Sequence, residues 1–191
     1  SIFLYVVEDD SIAFRDSISK YIKSEKTFYK VAKRLEYLQN KKTGRFKIDK
    51  DIGNNGIVNS LKFNNTPVNV TFNNQERVED LAGRVSKQIY QDSTALLFAF
   101  RDKKFLKDNN LNEQNVLSIF IPNSYNIFWN STPEDFRDRM LAEYNKFWNE
   151  ERSKKAEELG LTRLEVISLA SIVQIESRRN DERPRVAGLY I

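Results

Sequence analysis

Two stretches of this 191-residue chain run through the same order of patterns, and that order limits the fold more than any other feature. The first opens on Phe3-Leu4-Tyr5-Val6-Val7, rich in β-branched and aromatic residues. Asp9-Asp10-Ser11 then supplies side-chain acceptors suited to the start of a helix. Ile12, Phe14, Ile18, Tyr21 and Ile22 follow at near-helical spacing, which predicts a helix over about 11–23. The second stretch opens on Val68-Asn69-Val70-Thr71-Phe72, whose alternation predicts a strand with one wet face. After Asn73-Asn74, the residues Val78, Leu81, Val85 and Ile89 mark an amphipathic helix. Each unit is thus a strand, a short acidic or amide-rich turn and a helix. Their residues share little, so the likeness is one of pattern. A chain that twice changes from period two to period 3.6 is expected to fold as α+β.

The remaining elements fit between and after these units. Phe28, Val31, Leu35 and Leu38 predict a helix over about 27–38. Gly44 introduces a short strand, Arg45-Phe46-Lys47-Ile48, and a brief helix near 55–62 runs into the loop Asn64-Asn65-Thr66-Pro67. Leu96, Leu97, Phe98 and Phe100 predict a helix over about 93–107, ended by the polar break Lys107-Asp108-Asn109-Asn110. Residues 117–129 read as extended and aromatic. Ser131-Thr132-Pro133-Glu134 combines a cap, an early proline and a first-turn acid, so a helix is expected from there to about Leu159, with Gly160 ending it. Thr162 and Glu165 form a capping-box signature for the next helix. Its body, from Val166 to Ser177, is apolar nearly all round, which predicts a central, buried helix. Pro184 begins a final helical segment.

Composition narrows the chemistry. The chain has no cysteine and no histidine, which removes Ser-His-Asp triads, Cys-His dyads, conventional zinc sites and disulfides. Catalysis must come from carboxylates, hydroxyls, amides, Lys, Arg or Tyr. Neither a metal nor a cofactor is expected. The basic excess is uneven: residues 1–50 hold 12 Lys+Arg against 7 Asp+Glu, while the rest of the chain is close to balanced. Such an excess suits anionic lipid or an anionic polymer, or simply a solvated surface. A nucleic-acid partner is not expected, because no Lys/Arg run is interleaved with aromatics. No run approaches the roughly 18 apolar residues of a membrane span. The chain opens directly on a strand and stops inside the apolar Gly188-Leu189-Tyr190-Ile191, so further sequence is expected beyond both ends.

Glu176 closes a helix otherwise built of core-type residues. It shares a stripe with Leu169 and Ile172, so its carboxyl is expected to emerge beside apolar surface. Partial desolvation and the helix C-terminus would both raise its pKa, as a general acid requires. Ser177 and Gln174 are candidates to hydrogen-bond it or a substrate group. The plainer alternative is a solvated last-turn carboxylate paired with Arg178 or Arg179.

The stretch Ala170-Ser171-Ile172-Val173-Gln174-Ile175-Glu176-Ser177, followed by Asp181-Glu182-Arg183-Pro184-Arg185-Val186-Ala187-Gly188, closely resembles the YceG-like family of endolytic murein transglycosylases. Ile121-Pro122-Asn123-Ser124-Tyr125, Gly44-Arg45-Phe46 and Leu159-Gly160-Leu161-Thr162 add weaker matches. The resemblance is strong over 117–191 and loose before that. Gln174 stands where the family has a first glutamate, and Asn123 where it has an aspartate.

The resemblance implies that Glu176 is the catalytic residue of a lytic transglycosylase that cuts the β-1,4 bond between N-acetylmuramic acid and N-acetylglucosamine. Gln174, Ser177, Asn123 and Tyr125 would bind the substrate, and aromatic residues within 125–129 would stack on sugar or pack in a core. It further implies a 1–66 N-terminal α/β region, a 67–116 LysM-like strand-helix region and a 117–191 portion that begins a mainly helical catalytic domain and stops short of its end. The site is then incomplete within these residues. The expected partners are peptidoglycan glycan strands and cell-wall synthesis proteins. The expected location is the cell envelope, with an N-terminal membrane anchor outside this chain and this region facing the periplasm or wall. The competing reading is a non-catalytic LysM-like module that holds glycan.

Overall fold

In each of the two patterned units a later strand returns to pair with the first. The computed structural model describes residues 1–7, 11–177 and 179–191, with the backbone alone at 11–13. The cap expected at Asp9-Asp10 therefore lies outside the described residues. The first unit runs β1 (Ile2–Val6), α1 (Ser11–Ser19), α2 (Glu25–Arg34) and β2 (Gly44–Ile48), and α3 (Asn54–Phe63) packs after it. β1 and β2 are antiparallel, in register from Ile2 opposite Ile48 to Val6 opposite Gly44. The two-residue period turns Leu4, Val6, Phe46 and Ile48 inward, where they meet Phe28 and Ala32 of α2 and Val58 and Leu61 of α3.

The second unit repeats the scheme with more helix between its strands: β3 (Val68–Phe72), α4 (Val78–Ser86), α5 (Ser93–Phe100), α6 (Lys103–Asp108), a 3-10 turn at Val116–Ile119 and β4 (Asn123–Ile127). β3 and β4 are antiparallel, with Val70 opposite Tyr125 and Phe72 opposite Asn123. Its core gathers Val70, Phe72, Leu81, Val85, Leu96 and Phe100 with Phe136 and Met140 from α7 (Pro133–Phe147). Then come α8 (Glu150–Glu158), α9 (Arg163–Glu176) and α10 (Arg183–Ala187). The α+β class expected from the two periods is the class observed. Among the described residues no helix is long and apolar enough to cross a membrane.

Several boundaries differ from the sequence expectation, each for a local reason. The helix expected over 93–107 is two helices, because the Asp102 carboxylate accepts the Phe105 N–H at 2.7 Å and starts a new one. The helix expected from 132 to 159 breaks at Trp148 and Asn149, where the Asn149 side chain accepts from the Arg152 N–H at 2.9 Å. The extended run expected over 117–129 becomes the 3-10 turn followed by β4. α1 and α2 end at Ser19 and Arg34, short of the expected 23 and 38.

The largest correction concerns α9, which is not central and buried. Only Val173 is buried along it; Ile175 is 81% exposed and Ile172 40%. Val166 and Ile167 lean against the second core, Leu164 and Leu169 are half-buried, and Ile172 and Ile175 face outward. Its start is as expected: Thr162 accepts the Glu165 N–H, and the Glu165 carboxylate accepts the Thr162 N–H at 2.7 Å. Gly160, at φ +67, makes the left-handed turn that separates α8 from this cap.

The two units meet along a polar and aromatic seam. The Asn65 amide donates to Asn130 Oδ1 at 3.2 Å, and the Asn130 amide donates to Thr43 Oγ1 at 3.1 Å. Asn65 Oδ1 also accepts the Arg45 N–H at 3.2 Å. Beside this chain the Trp129 ring lies against Tyr5 of β1 (4.9 Å between centroids) and Tyr90 after α4 (5.0 Å), while its carbonyl accepts the Tyr90 N–H at 2.8 Å.

Two measurements test these assignments. Gly44 sits at φ +149, and a Cβ there would stand 2.6 Å from Asn65 Oδ1. Gly44→Ala should therefore cost about 1–3 kcal/mol in urea unfolding, and an unchanged midpoint would show that the seam does not need this close approach. At α9, hydrogen bonds from the Thr162 backbone and side chain hold the Glu165 carboxyl below its ordinary value. A lowered folded pKa means that the cap's stabilisation is full above the ordinary carboxylate value and fades as pH falls through the folded one. The stability gap between the wild type and Glu165→Ala should be present at pH 7 and narrower at pH 3; a gap that does not close would contradict the capping role.

Candidate active site

α9 and the second sheet face each other across an open groove of about 590 Å³. One wall is the β3–α4 turn, Asn73-Asn74-Gln75, together with the segment leading into β4, Leu117 to Pro122. The other is α9, which presents Leu164, Ile167, Ser168, Ser171, Ile172 and Gln174. The groove thus has an apolar floor, through Phe72, Leu81 and Phe120, and amides and hydroxyls along its upper edges. That mixture suits a ligand with apolar faces and many hydroxyl or amide groups.

Of the residues picked from the sequence, Gln174 reaches this groove. Its side-chain carbonyl accepts a hydrogen bond from the Asn74 amide across the gap. Glu176 stands at the exposed end of α9, one helical turn beyond Ile172, so its carboxylate rises at the groove's margin rather than inside it. Glu176 is itself exposed, and of the apolar residues on its stripe Ile172 is exposed and Leu169 half-buried. The alternative pairing with Arg178 falls outside the described residues. Arg179 is engaged with Asp181 at 2.9 Å and Glu182 at 3.5 Å.

Ser177 does not turn toward Glu176 or the groove. It is 3% exposed, and its hydroxyl accepts the Arg179 N–H at 3.2 Å. The same hydroxyl lies 3.1 Å from the Arg179 carbonyl and 3.2 Å from the Glu182 carboxylate, to one of which it donates. Its carbonyl accepts from Arg183 Nε at 3.3 Å. Ser177 therefore ties the end of α9 to the turn before α10, and it fixes the direction in which the chain leaves Glu176.

Asn123 and Tyr125 lie on β4. Asn123 is exposed beside Pro122 at the groove's edge, with its Oδ1 accepting the Ser124 N–H at 2.8 Å. Tyr125 is buried: its ring stacks on Phe72 at 5.6 Å and its hydroxyl donates to the Ile121 carbonyl at 2.5 Å. Burial pushes that hydroxyl's pKa up, with the nearby Glu143 carboxylate adding to it. Since Phe72 and Ile121 both line the groove, Tyr125 braces its wall from behind. Trp129 is taken by the seam between units, and Phe128 is about half exposed. Sequence reasoning left out several polar groove residues, Asn74, Gln75, Ser168 and Ser171 among them. The amide turn was visible only as a turn, and the serines as parts of an apolar helix.

No curated protein matches the chain. Among solved structures, a yceG-like protein of Listeria monocytogenes, lmo1499, shares the fold with a TM-score of 0.55 at 15% identity. The likeness covers 95% of this chain and 66% of the Listeria chain, so these residues span just under two thirds of that structure. The family model of the YceG-like family matches residues 11–191, nearly the whole length. The chain therefore belongs to the YceG-like family.

Proposed function

We propose that this chain carries the catalytic glutamate and part of the glycan groove of a peptidoglycan lytic transglycosylase. The reading rests on family membership, with one observation carrying it: Glu176 closes the helix that forms one wall of a groove edged with amides and hydroxyls. In this mechanism the Glu176 carboxylic acid gives its proton to the glycosidic oxygen as the muramyl C1–O bond breaks. The muramyl C6 hydroxyl attacks C1, and its proton passes to the carboxylate, which restores the acid. The products are a 1,6-anhydromuramyl end and a free N-acetylglucosaminyl 4-hydroxyl. No water enters, and no second carboxylate is needed, in contrast to paired-carboxylate glycosidases.

Gln174 and Asn74 meet across the groove, and a glycan strand would separate their amides and take up their hydrogen bonds through its N-acetyl groups. Asn123 adds an amide at the same edge. Tyr125 and Ser177 serve the site by holding Ile121 and the α9 terminus. The strand–helix–helix–strand order within residues 1–66 and the similar order from β3 to β4 favour LysM-like glycan-holding regions, the second of which takes its closing strand from the start of the 117–191 portion read as catalytic. On this reading the chain lies in the envelope, facing the wall beneath an N-terminal membrane anchor, with cell-wall synthesis proteins as neighbours. The same order supports the second reading, a module that holds glycan without cutting it.

Glu176→Gln separates the two. In the full-length product acting on isolated peptidoglycan, the variant should release anhydromuramyl-ended fragments at least about 100-fold more slowly while co-sedimenting with the wall as before. Release at the wild-type rate would remove Glu176 from the mechanism. A wild type that binds the wall and releases no such fragments would favour the holding module.

A further inference from the structure

Four of the twelve Lys and Arg of residues 1–50 share one face of α2. Along α2, Lys26, Lys30 and Lys33 recur at i, i+4 and i+7, and Arg34 lies beside them; all four are exposed. The opposite side of the helix is anchored by buried Phe28 and Ala32. The acid at the start of the helix, Glu25, is turned aside to Arg15 at 2.6 Å. The ion pairs found among the described residues involve none of the three lysines.

α3 extends this face. Arg34 donates to the Asn55 side chain at 2.7 Å, and Asn54 donates to Thr27 Oγ1 at 3.0 Å, so the two helices lie side by side. Lys62 donates to the Leu35 carbonyl at 3.0 Å at the far end. Asn55, Asn59 and Phe63 recur at i, i+4 and i+8 on the exposed side of α3, next to Arg34. Phe63 is 72% exposed, with the Lys62 ammonium 5.5 Å from its ring centre. At the other end of α2, Tyr21 is 42% exposed between Lys20 and Lys23.

We propose that the α2–α3 face docks on an anionic lipid surface, with the lysines and Arg34 against the headgroups and the Phe63 ring in the interfacial layer. Charge complementarity supplies the long-range attraction, each cation near an anionic leaflet adding to it. The exposed ring distinguishes lipid from a soluble polyanion, which has no apolar layer to receive it. The amides of Asn55 and Asn59 suit the hydrated headgroup region between them. This face lies in the first unit, whereas the groove is built on the second unit and α9, so neither proposal depends on the other.

The test is co-sedimentation of the chain with phosphatidylcholine vesicles, with and without about 30 mol% phosphatidylglycerol, in about 0.15 M salt. Binding is expected only to the anionic vesicles. It should fall at least about tenfold in K26E/K30E/K33E and equally when wild-type protein is moved to about 0.5 M salt. The salt arm stands even if the triple variant folds poorly, which thermal unfolding will show. Phe63→Ser should weaken vesicle binding about fivefold and leave binding to soluble polyphosphate unchanged. Equal binding to both kinds of vesicle, no effect of charge reversal, or a Phe63→Ser variant that binds vesicles like the wild type would each overturn the proposal. The last result together with tight polyphosphate binding would identify the face as a polyanion site.

Discussion

The seam between the two units, each a pair of strands with helices between them, governs where everything downstream is placed. Its polar part is a chain of three side chains, Thr43, Asn130 and Asn65, drawn from the entry to β2, the end of the β4 segment and the loop before β3. Each amide both donates and accepts, which satisfies groups that would be costly to bury half-bonded. The Trp129 ring fills the space beside them between two tyrosines. β4 is therefore held from both sides, by β3 in its own sheet and by the first unit through the residues that follow it. Since β4 carries Asn123 and Tyr125 and leads into α7, this hold sets the position of the groove's fixed wall.

Local hydrogen-bonding chemistry was the most legible part of the sequence. The Ser131-Thr132-Pro133-Glu134 start and the Thr162–Glu165 pair were both read as helix starts, and both helices begin there, the first with Asp135 as the reciprocal partner of Thr132. The same chemistry was missed at Asp102 and Asn149, because each lies inside a stretch whose apolar spacing continues across the break. Periodicity there described which residues face the core, and it could not register that two helices share that core. The paired strands were visible one by one, but the antiparallel return of β2 and β4 depends on contacts 38 or more residues away.

The site divides along the same line. Glu176 and Gln174 were identified from a local motif, and their place on α9 follows from helix geometry alone. What the sequence left hidden is tertiary: the partner of Gln174 is Asn74, 100 residues earlier. The burial of α9 was misjudged for a related reason. An all-apolar helix shows that its surface favours cover, and it does not show that the cover is present among these residues. Ser177 was read as a hydrogen-bonding partner for Glu176 or a substrate group, whereas its surroundings make it part of the turn that follows.

The bracing of Tyr125 gives the groove two unlike sides. On one, the ring stacked against Phe72 and the hydroxyl clasped by the Ile121 carbonyl make a wall built into a sheet and a core. On the other, α9 is tethered by a single buried valine and by half-buried neighbours. Local opening is cheapest where few apolar contacts must be broken. The helix side is therefore the less anchored wall of the groove, and the hydrogen bond from Asn74 to Gln174 is its side-chain link to the wall built on the sheet.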